Sequence, residues 1–122
     1  LARRLQARSH TRHLAVLNHG ISGNRPLHDV IGPNALARFD RDVLAAPGVR
    51  HVILLEGINN IGIPGAFSLP AEVVSAEDII YGYRQLIARA HERVTLGSVT
   101  LPVVLSTSLA TMSARFSAVS SV

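Results

Sequence analysis

The sequence predicts an α/β fold built on a parallel sheet, and three observations carry that prediction. Short apolar runs, His13–Asn18 and His51–Leu55, alternate with longer stretches of helical periodicity. The links between them are brief and rich in Gly, Asn and Pro. The run His51–Leu55 is continuous rather than alternating, as expected of a strand covered on both faces.

Taken in order, Leu1–Arg8 reads as the end of a helix, with Leu1 and Leu5 on one face. The run His13–Asn18 reads as a buried strand and leads into the loop His19-Gly-Ile-Ser-Gly-Asn-Arg-Pro26. A helix is predicted from near Asn34 to before Pro47-Gly48. Its apolar face is Leu36, Phe39, Val43 and Leu44, while Arg38, Arg41 and Asp42 point elsewhere. The strand His51–Leu55 ends in the polar turn Glu56-Gly-Ile-Asn-Asn60, and a long loop follows with Pro64, Gly65 and Pro70. Ser75 then caps a helix, with Asp78 three positions on as a weaker capping box. Ile79, Ile80, Tyr83, Leu86, Ile87 and Ala90 form the apolar stripe of that helix. In sheets of this type ligands bind beyond the carboxyl ends of the strands, where residues 19–26 and 57–60 fall.

Composition narrows the function classes. At 122 residues with 48% hydrophobic and 16% charged residues, the chain suits one globular domain. It has no cysteine, so disulfides and thiolate chemistry are excluded. Net charge is +4, and all twelve basic residues are arginine. Four of these, Arg3, Arg4, Arg8 and Arg12, open the chain. No aromatics interleave with them, so they read as a solvated helix face and no nucleic-acid partner is expected. Val94–Ala114 is uncharged, but Gly97, Pro102 and eight serines and threonines argue against a transmembrane helix. His10-x-x-His13 and His91-Glu92 are present without His-Glu-x-x-His, so no metal site is expected.

The composition changes near residue 94. From there to Val122 the one charge is Arg115, against 19 in the first 93 residues, and 11 of 29 residues are serine or threonine. Val99–Leu105 is a candidate strand. The chain therefore divides into residues 1–93 and an atypical tail, 94–122. A shift of reading frame is one origin for such a break; a divergent C-terminus and a different reading-frame boundary are others.

The turns Asn18-His-Gly-Ile-Ser-Gly23-Asn-Arg and Glu56-Gly57-Ile-Asn59-Asn60-Ile-Gly62 each follow an apolar run, with a helix between. Together they resemble two conserved blocks of the SGNH/GDSL hydrolases, an N-x-G-x-S-G-like turn and a G-x-N-D turn. The resemblance spans roughly Leu1–Arg93. It implies a carboxylic ester hydrolase of the GDSL-like lipase/acylhydrolase type with a flavodoxin-like, three-layer α/β/α fold and sheet order 2-1-3-4-5. It also implies small ester, lipid or acylated-carbohydrate substrates, and no cofactor. Gly23, through its backbone N–H, and Asn59, through its side-chain amide, would be oxyanion-hole donors. Asn24 and Arg25 would be substrate-side contacts. Asn60 stands where the family has aspartate, which bears on the geometry of that loop, and Gly57 would permit the tight turn.

The same resemblance implies what is missing. The family's nucleophile lies in a Gly-Asp-Ser block after the first strand, and its catalytic histidine in an Asp-x-x-His block near the C-terminus. Neither block occurs in the sequence, and no histidine follows His91. Ser22 reads as a turn residue and His19 as a surface or hydrogen-bonded histidine. The expectation is an internal fragment lacking the first strand and the C-terminal part, inactive alone. With the central strand absent, self-association or aggregation is expected. The rival expectations are a non-catalytic ligand- or glycan-binding module of the same fold and, behind it, a basic nucleic-acid-associated domain.

Overall fold

The computed structural model describes residues 1–95 and 103–105. The elements, in order, are α1 (Ala2–Gln6), α2 (Ala35–Phe39) running into a π-helical turn (Asp40–Leu44), β1 (Val52–Leu54), α3 (Ile58–Ala66), a 3-10 turn (Pro70–Glu72), α4 (Ala76–Thr95) and β2 (Val103–Leu105). β1 and β2 pair in parallel, with Val52 opposite Val103 and Leu54 opposite Leu105. A parallel pair requires a crossover, and α3 and α4 lie in sequence between the two strands. The predicted α/β character is present as this one strand-helix-strand unit. Of the predicted strand Val99–Leu105, Val103–Leu105 pairs; residues 99–102, and the rest of the tail from 106, lie outside the described residues.

The core forms where α4 meets α2. Ile79, Tyr83, Leu86 and Ala90, each 1% exposed, recur at helical spacing and pack with Ala35, Phe39, Leu44 and Val52. The start of α4 is fixed as its sequence predicts. Asp78 Oδ2 accepts from the Ser75 N–H at 2.8 Å, and Ser75 Oγ accepts from the Asp78 N–H at 3.1 Å. Asn34 caps α2 by accepting from the Ala37 N–H at 2.9 Å. At the end of α2 the ladder widens, and the Ala45 N–H reaches the Asp40 carbonyl at 2.8 Å. This single widened turn brings Leu44 onto the same buried side as Phe39, five positions earlier. Arg89 of α4 bonds Asp40 at 2.6 Å and the Leu36 carbonyl at 2.8 Å, with its guanidinium 5.6 Å from the centre of the Phe39 ring.

The structure corrects several of the sequence expectations. Residues 13–18 are not a strand: His13 ends a turn, and 14–18 run on without regular structure, mostly exposed, with Leu17 64% accessible. Among the described residues no strand lies beside this segment, and backbone groups without a neighbour must turn to water. β1 is not covered on both faces, since Ile53 is 58% exposed while Val52 is buried. The stretch after Glu56-Gly57 is not a long loop but α3 followed by the 3-10 turn, with Pro64 inside the helix. Arg38 leaves the apolar stripe as expected and enters a buried polar cluster. Three full layers are not present among the described residues, whose sheet has two strands.

Candidate functional site

The first turn is shaped by a glycine that no other residue replaces without strain. Gly23 sits at φ 81°, and a Cβ there would fall 2.6 Å from Ile31 Cδ1. Asn18 holds the approach to this turn by accepting the Gly20 N–H at 3.0 Å through its side chain. Among the described residues the Gly23 N–H is donated to no protein acceptor. The second turn begins at Gly57, φ 100°, three residues after the end of β1 at Leu54. Its Cα faces the Tyr83 hydroxyl, which donates to the Glu56 carbonyl at 2.7 Å. Asn59 follows in the first turn of α3, at the carboxyl end of the strand and at the positive end of the helix dipole.

The fold brings the two turns together. Asn59 Nδ2 donates to the Asn24 carbonyl at 2.9 Å, a contact across 35 residues of sequence. Asn59 therefore contacts the residue that follows Gly23 in the first turn. A side-chain amide has two N–H groups, so this bond orients Asn59 and leaves its second N–H for another acceptor. That is a donor arrangement suited to a developing negative charge on oxygen.

Asn24 and Arg25 take a different place from the one predicted. Both are 1% exposed. Asn24 Nδ2 donates to the carbonyls of Ile31 and Pro33 at 3.0 and 2.9 Å, and its Oδ1 accepts from Arg38 Nε at 3.0 Å. These three bonds make Asn24 a brace of the loop. Arg25 donates to the Asp29 carbonyl and pairs with Glu72 of the 3-10 turn at 2.7 Å, which ties the first turn to the segment after α3. Among the described residues its Nε and Nη1 are buried without a protein partner, as are both polar atoms of the Asn60 side chain. Asn60 nevertheless keeps the turn closed through its backbone, whose N–H bonds the Gly57 carbonyl at 3.0 Å. Ser22 and His19 are exposed, and His19 contributes its carbonyl rather than its ring.

Arg38 and Glu56 are the residues that sequence reading missed. Arg38 Nη1 donates to the His19 carbonyl at 2.7 Å, and Nη2 lies 3.6 Å from Glu56 Oε1. Asp42, one turn along, is 3.4 Å from Nη1. Burial pushes the Glu56 carboxyl above its ordinary value, with Arg38 opposing. Burial, and then the charge of Glu56, push the Tyr83 hydroxyl up to about 12. One signal was available: a carboxylate directly after an apolar strand needs a buried partner. Nothing in the sequence said which of twelve arginines would supply it. No group of three or more potential metal ligands occurs among the described residues, and none of their helices is long and apolar enough to cross a membrane.

Comparison with known proteins gives one family. The family model described as GDSL-like Lipase/Acylhydrolase family matches residues 1–119. The matched span includes both turns and runs on past the compositional change at residue 94. No curated protein matches the chain.

Proposed function

The chain belongs to the GDSL-like Lipase/Acylhydrolase family, and from that premise we propose that the Gly23–Asn59 corner receives the carbonyl oxygen of a carboxylic ester. The observation that carries this reading is the 2.9 Å bond from Asn59 Nδ2 to the Asn24 carbonyl. It sets a preoriented amide against the carbonyl of Asn24, the residue after Gly23, whose own N–H has no acceptor among the described residues. When a nucleophile adds to an acyl carbon, the carbonyl oxygen becomes an anion. Donors already aimed at it stabilise that state without reorganising, each worth roughly 3–4 kcal/mol. An amide is suited to this role because it donates without bringing negative charge to the oxyanion.

Attack by serine and proton transfer through histidine complete acyl transfer in such enzymes. The sequence holds neither a Gly-Asp-Ser nor an Asp-x-x-His block. We therefore read this chain as supplying the oxyanion half of the chemistry, with no turnover when present alone. The same absence favours a second reading, a ligand- or glycan-binding module that keeps the cleft without the reaction.

A short-chain alkyl phosphonate, whose anionic oxygens resemble the tetrahedral oxyanion, tests the assignment. Titrated into the 15N-labelled chain, it is expected to move the Gly23 backbone and Asn59 side-chain amide resonances. Asn59→Leu should abolish the response at Gly23 as well. Saturable phosphonate binding that leaves both resonances in place overturns the oxyanion assignment. Saturable binding of an oligosaccharide elsewhere on the chain supports the module. Release of nitrophenol from an aryl acetate in proportion to protein, lost in Asn59→Leu, shows that the chain is active by itself.

A further inference from the structure

We propose that Arg38 is the positioning residue of the oxyanion corner, a side chain that reaches both turns and holds them in a common geometry. This rests on the reading of Gly23 and Asn59 as the donors. Arg38 lies in the last turn of α2 and is 6% exposed.

Its guanidinium reaches both turns at once. Toward the first turn, Nη1 donates to the His19 carbonyl at 2.7 Å and Nε to Asn24 Oδ1 at 3.0 Å. Toward the second, Nη2 lies 3.6 Å from the Glu56 carboxylate, which precedes Gly57. The Nε bond has a directional consequence. With Oδ1 held by Arg38, the amide of Asn24 can present only Nδ2 to the carbonyls of Ile31 and Pro33. These three bonds anchor Asn24 in the loop, and the Asn24 carbonyl is the acceptor that orients Asn59. Arg38 thus acts on Asn59 through Asn24, and on the start of α3 through Glu56.

The chemistry requires arginine in particular. Four separate acceptors, the His19 carbonyl, Asn24, Asp42 and Glu56, lie around one planar group, and a guanidinium carries five N–H donors in a fixed fork. A lysine brings one point of charge; it can stay paired with Glu56 or serve the first turn, but it cannot hold Nε-type geometry to Asn24 at the same time. Arg89 provides the internal comparison. It also joins two elements through an acidic partner and a carbonyl, Asp40 and Leu36, yet it contacts neither turn.

The test reads hydrogen exchange of the Asn59 side-chain amide by 15N NMR in the 122-residue chain. Arg38→Lys is expected to keep the dispersed spectrum of a folded chain while Asn59 Nδ2 exchange speeds up about tenfold, the loss of one buried hydrogen bond. Arg89→Lys is expected to leave that rate unchanged. An Asn59 rate within about twofold of the parent in Arg38→Lys overturns the proposal, as does an equal acceleration in Arg89→Lys. If Arg38→Lys does not fold, the parent chain decides. Arg38 Nε–H and Asn59 Nδ2–H should then open with one shared rate across pH, and independent rates overturn the coupling. Failure of the phosphonate to touch Asn59 sinks the functional assignment and leaves this exchange result standing, so the two ideas fail separately.

Discussion

Glu56 shows how one side chain ties stability to the site. Its carboxyl is 10% exposed and is raised above its ordinary value by burial, with Arg38 opposing. An acid whose folded value is raised is favoured in its neutral form by the fold. Its contribution is therefore complete below the ordinary glutamate value of 4.5 and is lost as pH rises through the raised one. Thermal melts across that window should show the parent chain losing stability relative to Glu56→Gln as pH climbs. A parent that gains on the variant over the same window means that pairing with Arg38 outweighs burial. The neighbouring donor residues were legible in the sequence because glycine and asparagine in a turn are unusual enough to notice. Arg38 was not, because its position on a helical wheel is that of a solvated residue and only the loop folded over it makes it buried.

At the scale of elements, local chemistry and tertiary contact contribute differently to different helices. α4 is specified by its own residues: a reciprocal Ser75–Asp78 cap at one end and an apolar stripe at helical spacing along its length. Ser75→Ala should cost about 1 kcal/mol in urea unfolding, without change in m-value. A loss below a few tenths would show that packing on α2 alone holds the start of the helix. α2 is less self-sufficient. Its widened turn at Asp40–Leu44 follows from the need to bury both Phe39 and Leu44 against α4. α3 runs against its sequence, which carries Pro64 and three glycines counting Gly57 at its start. Its position is set from outside, by the bond from Asn59 to Asn24 and by burial of Ile63.

For the whole molecule the informative feature is the apolar surface left uncovered. Leu17, Ile53, Leu55, Ile58, Ile61 and Phe67 are each 49% or more exposed. Scattered apolar side chains are ordinary on protein surfaces, but here three flank β1 and its exit, and Leu17 lies on the extended segment before the first turn. Partnerless backbone beside apolar side chains is the template for adding a strand. The chain in isolation is therefore expected to self-associate, with apparent mass in sedimentation rising with concentration. A monomer with a cooperative melt across the accessible concentration range contradicts that expectation.

The sequence by itself determined the elements whose information is local. These are the capped helix α4, the helix beginning at Asn34, the β-forming run at 51–55, and the two glycine-led turns that mark the family. Capping, periodicity and turn chemistry act over a few residues, so a linear string records them. Only the tertiary structure decided which face of β1 is covered, that residues 14–18 pair with no strand among the described residues, and that Pro64 sits inside a helix. The same is true of the internal roles of Asn24 and Arg25 and of the grip of Arg38 on both turns. Those outcomes depend on partners many residues distant, and the choice of one buried guanidinium among twelve arginines is made by shape and charge meeting across the fold.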